Sequence, residues 1–234
     1  MLVSIAIGAL NEENYIGTTL ASAFAQKTRH SFEVIVGDGY SEDATEKIAK
    51  KAGARVVFEK RRSAAFQRQA AANSAKGKII AFTDADAQLP SYWIERAVAQ
   101  FEADSKLVML YGPVYFSDTP SWERSASKLV MDLYLPFLAF FGFHNPVGSN
   151  IVVRRSAFEK IRGFDTSLVT AEDLDLAKRM KKIGRVKFCL GVDVSVSARR
   201  VKKWGYLKFT FFHIINGIKY QLTGNAAKNY EPVR

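Results

Sequence analysis

Short apolar runs alternate with amphipathic segments through the first half of the chain. Apolar and β-branched residues dominate four runs, at 3–7, 32–36, 55–58 and 78–83, and each run predicts a strand. The intervening segments at 13–25, 43–52 and 63–76 have patterns typical of helices. Strands that alternate with helices form parallel βαβ units. We therefore expect an α/β fold with a Rossmann-like, mostly parallel central sheet flanked by helices.

The pattern changes after about residue 105, without a linker, a repeat or a low-complexity segment. The second half predicts a strand at 108–115, a helix at 121–141, a turn and strand at 147–153, and a helix at 171–183. Because nothing in the sequence separates the two halves, we expect one domain over residues 1–234.

Polar side chains gather where the predicted strands end. Asn11 and Glu12 follow the first strand, Asp38 follows the second, and Asp84 and Asp86 follow the fourth. Parallel sheets bind ligands beyond the carboxyl ends of their strands. These positions therefore predict a crevice of nucleotide size at that edge of the sheet.

The pair Asp84 and Asp86 is the main candidate for a metal site. Two carboxylates one residue apart repel each other, and Mg²⁺ or Mn²⁺ prefers carboxylate oxygens and often bridges to substrate phosphates. A D-x-D sequence alone also fits a capped turn. Its place at the end of a hydrophobic strand favours the metal.

Composition and net charge limit the classes of binding partner, and they say little about the fold. The chain is 48% hydrophobic and 24% charged, which is ordinary for a globular protein, and its one cysteine, Cys189, excludes an intramolecular disulfide. Its three histidines show no metal-ligand spacing.

The net charge is +11, and the segment 178–208 contains eleven basic residues and one acidic residue, Asp193. Such a region suits a phosphate-bearing substrate, an anionic membrane or nucleic acid, with a solvated cationic face as the alternative.

Two aromatic, apolar stretches point to a membrane or to a buried interface. Residues 133–143 and 206–215 are too short to cross a bilayer, and the second follows a basic cluster that includes Arg199 and Arg200. An apolar face beside basic residues is typical of an interfacial helix, and packing in the core or in a homodimer is the alternative. Since no signal peptide and no 18-residue apolar run is visible, we expect a cytoplasmic protein, with the cytoplasmic membrane face as a candidate partner.

Four motifs resemble the family 2 inverting glycosyltransferases, which have the GT-A fold. In chain order they are SIAIGALNEENYIGTTLASAFAQ, FEVIVGDGYSEDAT, RQAAANSAKGKIIAFTDADAQLP and VGSNIVVRRSAFEKIRGFDTSLVTAEDLDLAKRMKKIG. The resemblance implies transfer of a sugar, with inversion and with Mn²⁺ or Mg²⁺, from a UDP- or GDP-sugar to an acceptor glycan or a lipid-linked acceptor. It also implies that about residues 1–105 hold the nucleotide-sugar and about residues 106–234 hold the acceptor.

The resemblance assigns roles to individual residues on the donor side. It implies that Asp38 contacts the base or ribose, with Asn11 and Glu12 beside it. It also implies that Asp84 faces the ribose and phosphates and that Asp86 binds the metal directly, with Asp84 sharing the site.

On the acceptor side, the resemblance makes Asp173 the catalytic base. Asp173 opens a predicted helix, whose dipole favours the ionised form that a base requires. Its neighbour Glu172 either binds substrate or acts as a capping carboxylate. Arg199 and Arg200 either clamp the diphosphate, because guanidinium groups bind phosphate well, or lie at the end of a surface strand.

The chain also departs from the family pattern. Gly8 and Gly39 stand where the family often has a proline and an acidic residue, and the Q-x-x-R-W motif of many processive members is absent from the sequence. We therefore expect a non-processive enzyme. Two other functions stay open: a nucleotidyltransferase, which would not require Glu172 and Asp173, and a basic nucleic-acid-binding module, which the arrangement of lysines does not favour.

Overall fold

This computed structural model describes residues 1–230, so the predicted domain end at residue 234 lies outside the described range. The strands are β1 (Leu2–Ala9), β2 (Ser31–Asp38), β3 (Arg55–Phe58), β4 (Ile79–Asp84), β5 (Ala87–Gln88), β6 (Leu107–Tyr111), β7 (Val114–Phe116), β8 (Ile151–Arg154), β9 (Arg185–Phe188) and β10 (Val194–Val196). The helices are α1 (Ile16–Phe24), α2 (Thr45–Lys51), α3 (Ala64–Asn73), α4 (Trp93–Ala103), α5 (Ser121–Phe140), α6 (Arg155–Lys160), α7 (Glu172–Lys181), α8 (Arg199–Trp204) and α9 (Tyr206–Thr223).

The strands form two sheets. Seven strands lie in the order β3-β2-β1-β4-β8-β6-β9, and β5, β10 and β7 form a smaller sheet. In the large sheet β8 runs antiparallel to both of its neighbours, and every other pair is parallel. The mostly parallel sheet expected from the alternating pattern is therefore confirmed.

Burial on both faces explains the long apolar runs of the central strands. β1 and β4 are buried almost throughout, because separate groups of core residues cover the two faces of the sheet. On α1, the buried Ile16, Leu20 and Ala23 recur at helical spacing, so one stripe of this helix packs on the sheet. Each large aliphatic side chain buried in this way contributes about 1.5–3 kcal/mol.

Strand register brings two of the predicted site residues to one edge. Ala9 pairs with Asp38 at the end of β2, and Gly8 pairs with Asp84 at the end of β4. The two aspartates therefore flank the end of β1, at the carboxyl edge where parallel sheets bind their ligands.

The second half differs from its prediction. The strand expected over residues 108–115 is interrupted at Gly112 and Pro113, so β6 stays in the large sheet and β7 joins the small one. Proline has no backbone N–H to donate to a neighbouring strand, which explains the break. Helix α4 is a further element that the sequence patterns did not predict, although its buried residues, from Trp93 to Phe101, follow helical spacing.

Helices α5 and α9 keep apolar faces in solvent. Phe140 of α5 is 84% exposed, and Leu222 of α9 is 80% exposed. The two helices begin side by side, because the Tyr206 hydroxyl donates to Glu123 Oε2 at 2.5 Å. Over residues 1–230, no helix has both the length and the apolarity needed to cross a membrane.

Candidate active site

Hydrogen bonds tie together the loops that follow β1 and β2. Ser41 donates from its backbone N and from its hydroxyl to Asp38 Oδ1, at 2.8 and 2.7 Å. The same hydroxyl accepts from the backbone N of Asn11 at 2.9 Å, and Thr45 Oγ1 accepts from the backbone N of Glu12 at 2.7 Å. The serine and threonine of the second motif therefore hold Asn11, Glu12 and Asp38 in one wall of the crevice.

Asp38 is fully buried, and one of its carboxylate oxygens lacks a donor. Oδ1 accepts from Ser41, whereas Oδ2 has no hydrogen-bond partner within the described part of the chain. Leaving a buried carboxylate oxygen without a donor is unfavourable. This oxygen is therefore suited to accept a hydrogen bond from an N–H or hydroxyl of a ligand.

Arg68 of α3 joins the end of β4 to the start of α7. It donates from Nε and Nη2 to Asp84 Oδ1 at 3.2 and 2.5 Å, and from Nη1 to Glu172 Oε1 at 2.7 Å. The Arg68 side chain is only 6% exposed. Burial lowers the pKa of Arg68, but the charges of Asp84 and Glu172 outweigh that effect and raise it above its usual value. The guanidinium is therefore a fixed positive charge between two carboxylates.

Asp86 lies beside a second arginine. Arg199 Nε lies 3.1 Å from Asp86 Oδ2, and the two terminal nitrogens of Arg199 donate to the two oxygens of Glu12, each at 2.7 Å. Burial raises the pKa of Asp86 to about 7; the negative charge of Asp84 acts in the same direction, and Arg199 opposes it. Asp86 is thus a crowded carboxylate that a further positive charge would stabilise in its ionised form.

Asp173 lies in the first turn of α7, next to Glu172. Its Oδ2 accepts from the backbone N of Gly148 at 3.1 Å, and its Oδ1 accepts from the backbone N of Leu174 at 2.8 Å. Burial raises the pKa of Asp173 to about 7, the charge of Glu172 raises it as well, and Arg68 acts to lower it. A carboxyl group with a pKa near neutrality is suited to proton transfer at physiological pH.

Arg199 and Arg200 open helix α8, so the alternative that placed them at a strand end is wrong. The Arg200 guanidinium stacks on the Tyr230 ring, 4.0 Å from its centroid, and lies 5.5 Å from that of Trp204. Burial raises the pKa of Tyr230 to about 12, against the effect of Arg200 and with a contribution from Asp173. Arg200 therefore lies in an aromatic cluster with Tyr230, on which the α7 carboxylates also act.

The carboxylates at the end of β4 are chemically suited to a divalent cation. Asp84 and Asp86 supply two carboxylate groups, and within residues 1–230 no three His, Cys, Asp or Glu side chains form a cluster able to hold a metal. Mg²⁺ in phosphate chemistry is commonly bound by one or two carboxylates, with waters and substrate phosphates as the other ligands. The raised pKa of Asp86, caused by burial and by Asp84, agrees with a site built to face a cation.

A family comparison covers most of this region. The model for glycosyl transferase family 2 matches residues 4–162, which include Asn11, Asp38, Asp84 and Asp86 and are more than half of the chain. The chain belongs to glycosyl transferase family 2. Family 2 membership favours glycosyl transfer over the nucleotidyltransferase and nucleic-acid-binding alternatives. The matched region ends before α7, so it does not contain Asp173.

Curated relatives of this family 2 chain are distant. It is 27% identical to the glucosyl-dolichyl phosphate glucuronosyltransferase of Haloferax volcanii over 183 residues, which are 71% of this chain and 57% of the relative. The chain spans about half to three-fifths of the length of the curated relatives it matches.

Solved structures share the fold of this family 2 chain. The mannosyltransferase of Pyrobaculum calidifontis in complex with GDP-Man and Mn²⁺ has a TM-score of 0.70 at 23% identity, covering 96% of this chain and 65% of that one. Glucosyl-3-phosphoglycerate synthase of Mycobacterium tuberculosis with Mn²⁺, UDP and glucosyl-3-phosphoglycerate has a TM-score of 0.66 at 17% identity, covering 97% and 81%. The GT-A fold expected from the motifs is therefore confirmed.

Hydrogen bonds and ion pairs link most of the predicted site residues of this family 2 chain near the carboxyl ends of the strands, and Arg68 is an additional member of this group. The sequence carried a signal for this residue: Ala65, Arg68 and Ala72 recur at helical spacing and all three are buried. An arginine on the buried stripe of an alanine-rich helix needs carboxylate partners, and on this ground Arg68 could have been identified.

At Gly39, a side chain would meet Gln67. A Cβ at this position would lie 2.5 Å from Gln67 Nε2, and Gln67 is itself buried. The acidic residue that the family often has here therefore has no room unless Gln67 moves. Asp38 is the acidic side chain that remains at the end of β2.

Proposed function

We propose that this chain transfers a sugar, with inversion and with a divalent metal, from a UDP- or GDP-sugar to a hydroxyl or phosphate of an acceptor. One observation carries the proposal. Asp84 and Glu172 are held by the same buried guanidinium, that of Arg68, so carboxylates suited to donor chemistry and to acceptor chemistry lie in one crevice. Family membership and the nucleotide-sugar complexes of similar structures support the donor class.

The donor occupies the first half of the chain, about residues 1–105, under this proposal. Asp38 accepts a hydrogen bond from the base or ribose at its Oδ2 atom, which lacks a donor among the described residues. Asn11 and Glu12 border the same pocket, because the loop that carries them is bonded to the loop after β2. Asp84 faces the ribose and phosphates from the end of β4.

Asp86, with Asp84 beside it, is the proposed site for Mn²⁺ or Mg²⁺. When bound, the cation supplies Lewis-acid stabilisation of the charge that develops on the departing diphosphate. Arg199 lies next to Asp86 and offers a guanidinium to the same diphosphate, and Arg200 is the proposed second cation of the clamp. Arg199 and Arg200 are neighbours at the start of α8, and Arg200 stacks on Tyr230 while Arg199 contacts Glu12 and Asp86.

The acceptor occupies the second half, about residues 106–234, and Asp173 takes the proton of its hydroxyl. Inversion requires a single displacement, so one carboxylate must act on the face opposite the leaving group. The position of Asp173 in the first turn of α7 favours its ionised form through the helix dipole, against the effect of burial. Glu172 binds Arg68 and so helps to orient this turn.

A thermal-shift screen with UDP-, GDP- and other nucleotide-sugars tests the proposed donor and metal. A ligand at a hundred times its Kd stabilises a protein by about 2.7 kcal/mol, which for a chain of this length raises Tm by about 5–10 °C. We expect one class of nucleotide-sugar to give this rise with Mn²⁺ and a much smaller rise with EDTA. If no nucleotide-sugar raises Tm in the presence of Mn²⁺, the proposed function is wrong.

The proposal includes association with an anionic membrane surface, where a lipid-linked acceptor would be met. On α9, Leu207, Phe211, Ile215 and Leu222 share one exposed face, and α5 exposes a similar one. Contiguous exposed apolar patches mark interaction sites more often than ordinary surface. The segment 199–223 contains six basic residues and no acidic one, and each basic residue near anionic lipid adds about 1 kcal/mol.

Vesicle co-sedimentation tests this surface. The wild-type chain should bind vesicles that contain an anionic phospholipid at low salt, and less so as salt is added. Phe211→Ser/Ile215→Ser should weaken binding by about 10-fold or more, because two apolar side chains no longer enter the interface. Leu190→Ser is the matched control, since Leu190 is 49% exposed but lies in a loop outside both helices. No vesicle binding at low salt, together with a stable dimer in solution, would show that these faces pair two copies instead.

A further inference from the structure

Arg68 contacts both halves of the crevice through one side chain. Asp84 comes from β4 and Glu172 from α7, and the guanidinium bonds to both. It also packs against the loop before β8, because a Cβ at Gly148 would lie 2.4 Å from Arg68 Nη1. The backbone N of Gly148 is the donor to Asp173 Oδ2. Arg68 therefore touches two of the groups that fix the position of Asp173.

We propose that Arg68 is a positioning residue for the transfer reaction, which fixes the start of α7, and with it Asp173, relative to the donor-side carboxylate Asp84. The inference rests on the proposed function, since it takes Asp173 as the base. Arg68 acts through Glu172 and Gly148. Its planar fork is needed for this, because a lysine ammonium is a point charge that cannot reproduce the bonds to two separated carboxylates.

The charge of Arg68 acts on Asp173 as well. Among residues 1–230, Glu172 on its own helix, Arg68 from α3 and Tyr230 from the C-terminal segment act on this carboxyl, and Asp84 bonds to the same guanidinium. Tyr230 is neutral near pH 7, since burial raises its pKa from an already high value to about 12. Arg68 is thus the positive charge that offsets Glu172 next to Asp173. Without it, the negative charge of Glu172 acts on Asp173 unopposed, and the pKa of Asp173 rises further.

Three variants separate the charge of Arg68 from its geometry. Arg68→Gln removes the positive charge and the planar guanidinium, and Arg68→Lys keeps the charge but not the planar guanidinium. Arg55→Gln is the matched control, because Arg55 also bridges a carboxylate and a helix end, through Glu33 at 2.7 Å and the Ser74 carbonyl at 2.6 Å, away from the crevice. All variants are first compared by circular dichroism and thermal melting.

The pH dependence of kcat is the first readout. In Arg68→Gln we expect kcat at pH 7 to fall by about 10-fold or more, and the acidic limb of the profile to move to higher pH by about 1 unit or more. Arg68→Lys should keep the wild-type acidic limb but have a lower kcat. Arg55→Gln should match the wild type in both. A wild-type pH profile and kcat in Arg68→Gln and Arg68→Lys would overturn the inference, and if Arg68→Gln does not fold, Arg68→Lys decides alone.

A second readout needs no turnover. The carboxyl ¹³C resonance of Asp173, assigned by its loss in Asp173→Asn, reports the pKa of this group in the protein without donor. We expect a higher pKa in Arg68→Gln than in the wild type and in Arg55→Gln. Equal values in all three would overturn the inference even if the enzyme transfers sugar. If the wild type binds no nucleotide-sugar, the proposed function fails, and the titration still decides whether Arg68 sets the charge of Asp173.

Discussion

Replacing Asp86 by alanine is expected to abolish sugar transfer and the Mn²⁺-dependent binding of the nucleotide-sugar. Asp86 is the carboxylate proposed to hold the metal directly, and Asp84 is already engaged by Arg68. Without the cation, the charge that develops on the diphosphate is not neutralised, which we expect to lower kcat by about 10³-fold or more. The fold should persist, because Arg199 keeps both of its hydrogen bonds to Glu12.

To check this expectation, turnover and the thermal shift caused by the nucleotide-sugar are measured with and without Mn²⁺, on the same preparation of each protein. Asp104→Ala is the matched control: Asp104 pairs with Arg185 at 2.7 Å just before β6, at the opposite edge of the sheet. The control should keep both the activity and the Mn²⁺-dependent rise in Tm. Full activity in Asp86→Ala would contradict the metal assignment, and loss of the wild-type melting transition without ligand would show a structural role instead.

Replacing Asp173 by asparagine is expected to lower kcat by roughly 10²-fold or more while leaving the donor affinity close to that of the wild type. Asparagine keeps the size of the side chain but cannot accept the proton of the acceptor hydroxyl. Asp173 accepts hydrogen bonds from the backbone of Gly148 and Leu174 and is not itself bonded to Asp38, Asp84 or Asp86, so the donor affinity should persist. Single-turnover rates and donor titrations measure the two quantities separately. A collapse of donor affinity would make Asp173 a binding residue and place the base elsewhere.

The pH dependence of the wild-type rate tests the same assignment of Asp173 as the base. Burial raises the pKa of Asp173 to about 7, and only the ionised form can accept a proton. The rate should therefore be highest above about pH 7 and should fall about tenfold for each pH unit below it. A profile that stays flat down to about pH 4 would contradict the buried, base-competent carboxyl.

The first half of the fold could be predicted from the sequence, because its central strands β1 and β4 are buried on both faces and form continuous apolar runs. Polar residues such as Asp38 and Asp84 then mark the strand ends. Parallel strands bring those ends together, so the crevice could be placed without knowledge of side-chain contacts. The motif resemblance added Asp173, which spacing alone does not connect to the donor side.

The parts of the fold and of the site that could not be predicted depend on contacts between residues far apart in the chain. The pairs Arg68 with Glu172 and Arg199 with Glu12 each join the two halves, and no local pattern specifies them. The small sheet was missed for a different reason: its strands have two or three residues, which is too short for a period of two to be recognised. The dipeptide Gly112-Pro113 was a local signal that the predicted strand over 108–115 would break.

The most direct test of the central claim is the configuration of the first product formed from an α-linked nucleotide-sugar, followed by ¹H NMR with Mn²⁺ and with EDTA. The account predicts a β-configured product that forms with Mn²⁺, is lost with EDTA, and is lost in Asp86→Ala and Asp173→Asn. A single displacement requires this inversion. An α-configured first product, or equal turnover with EDTA, would contradict the account.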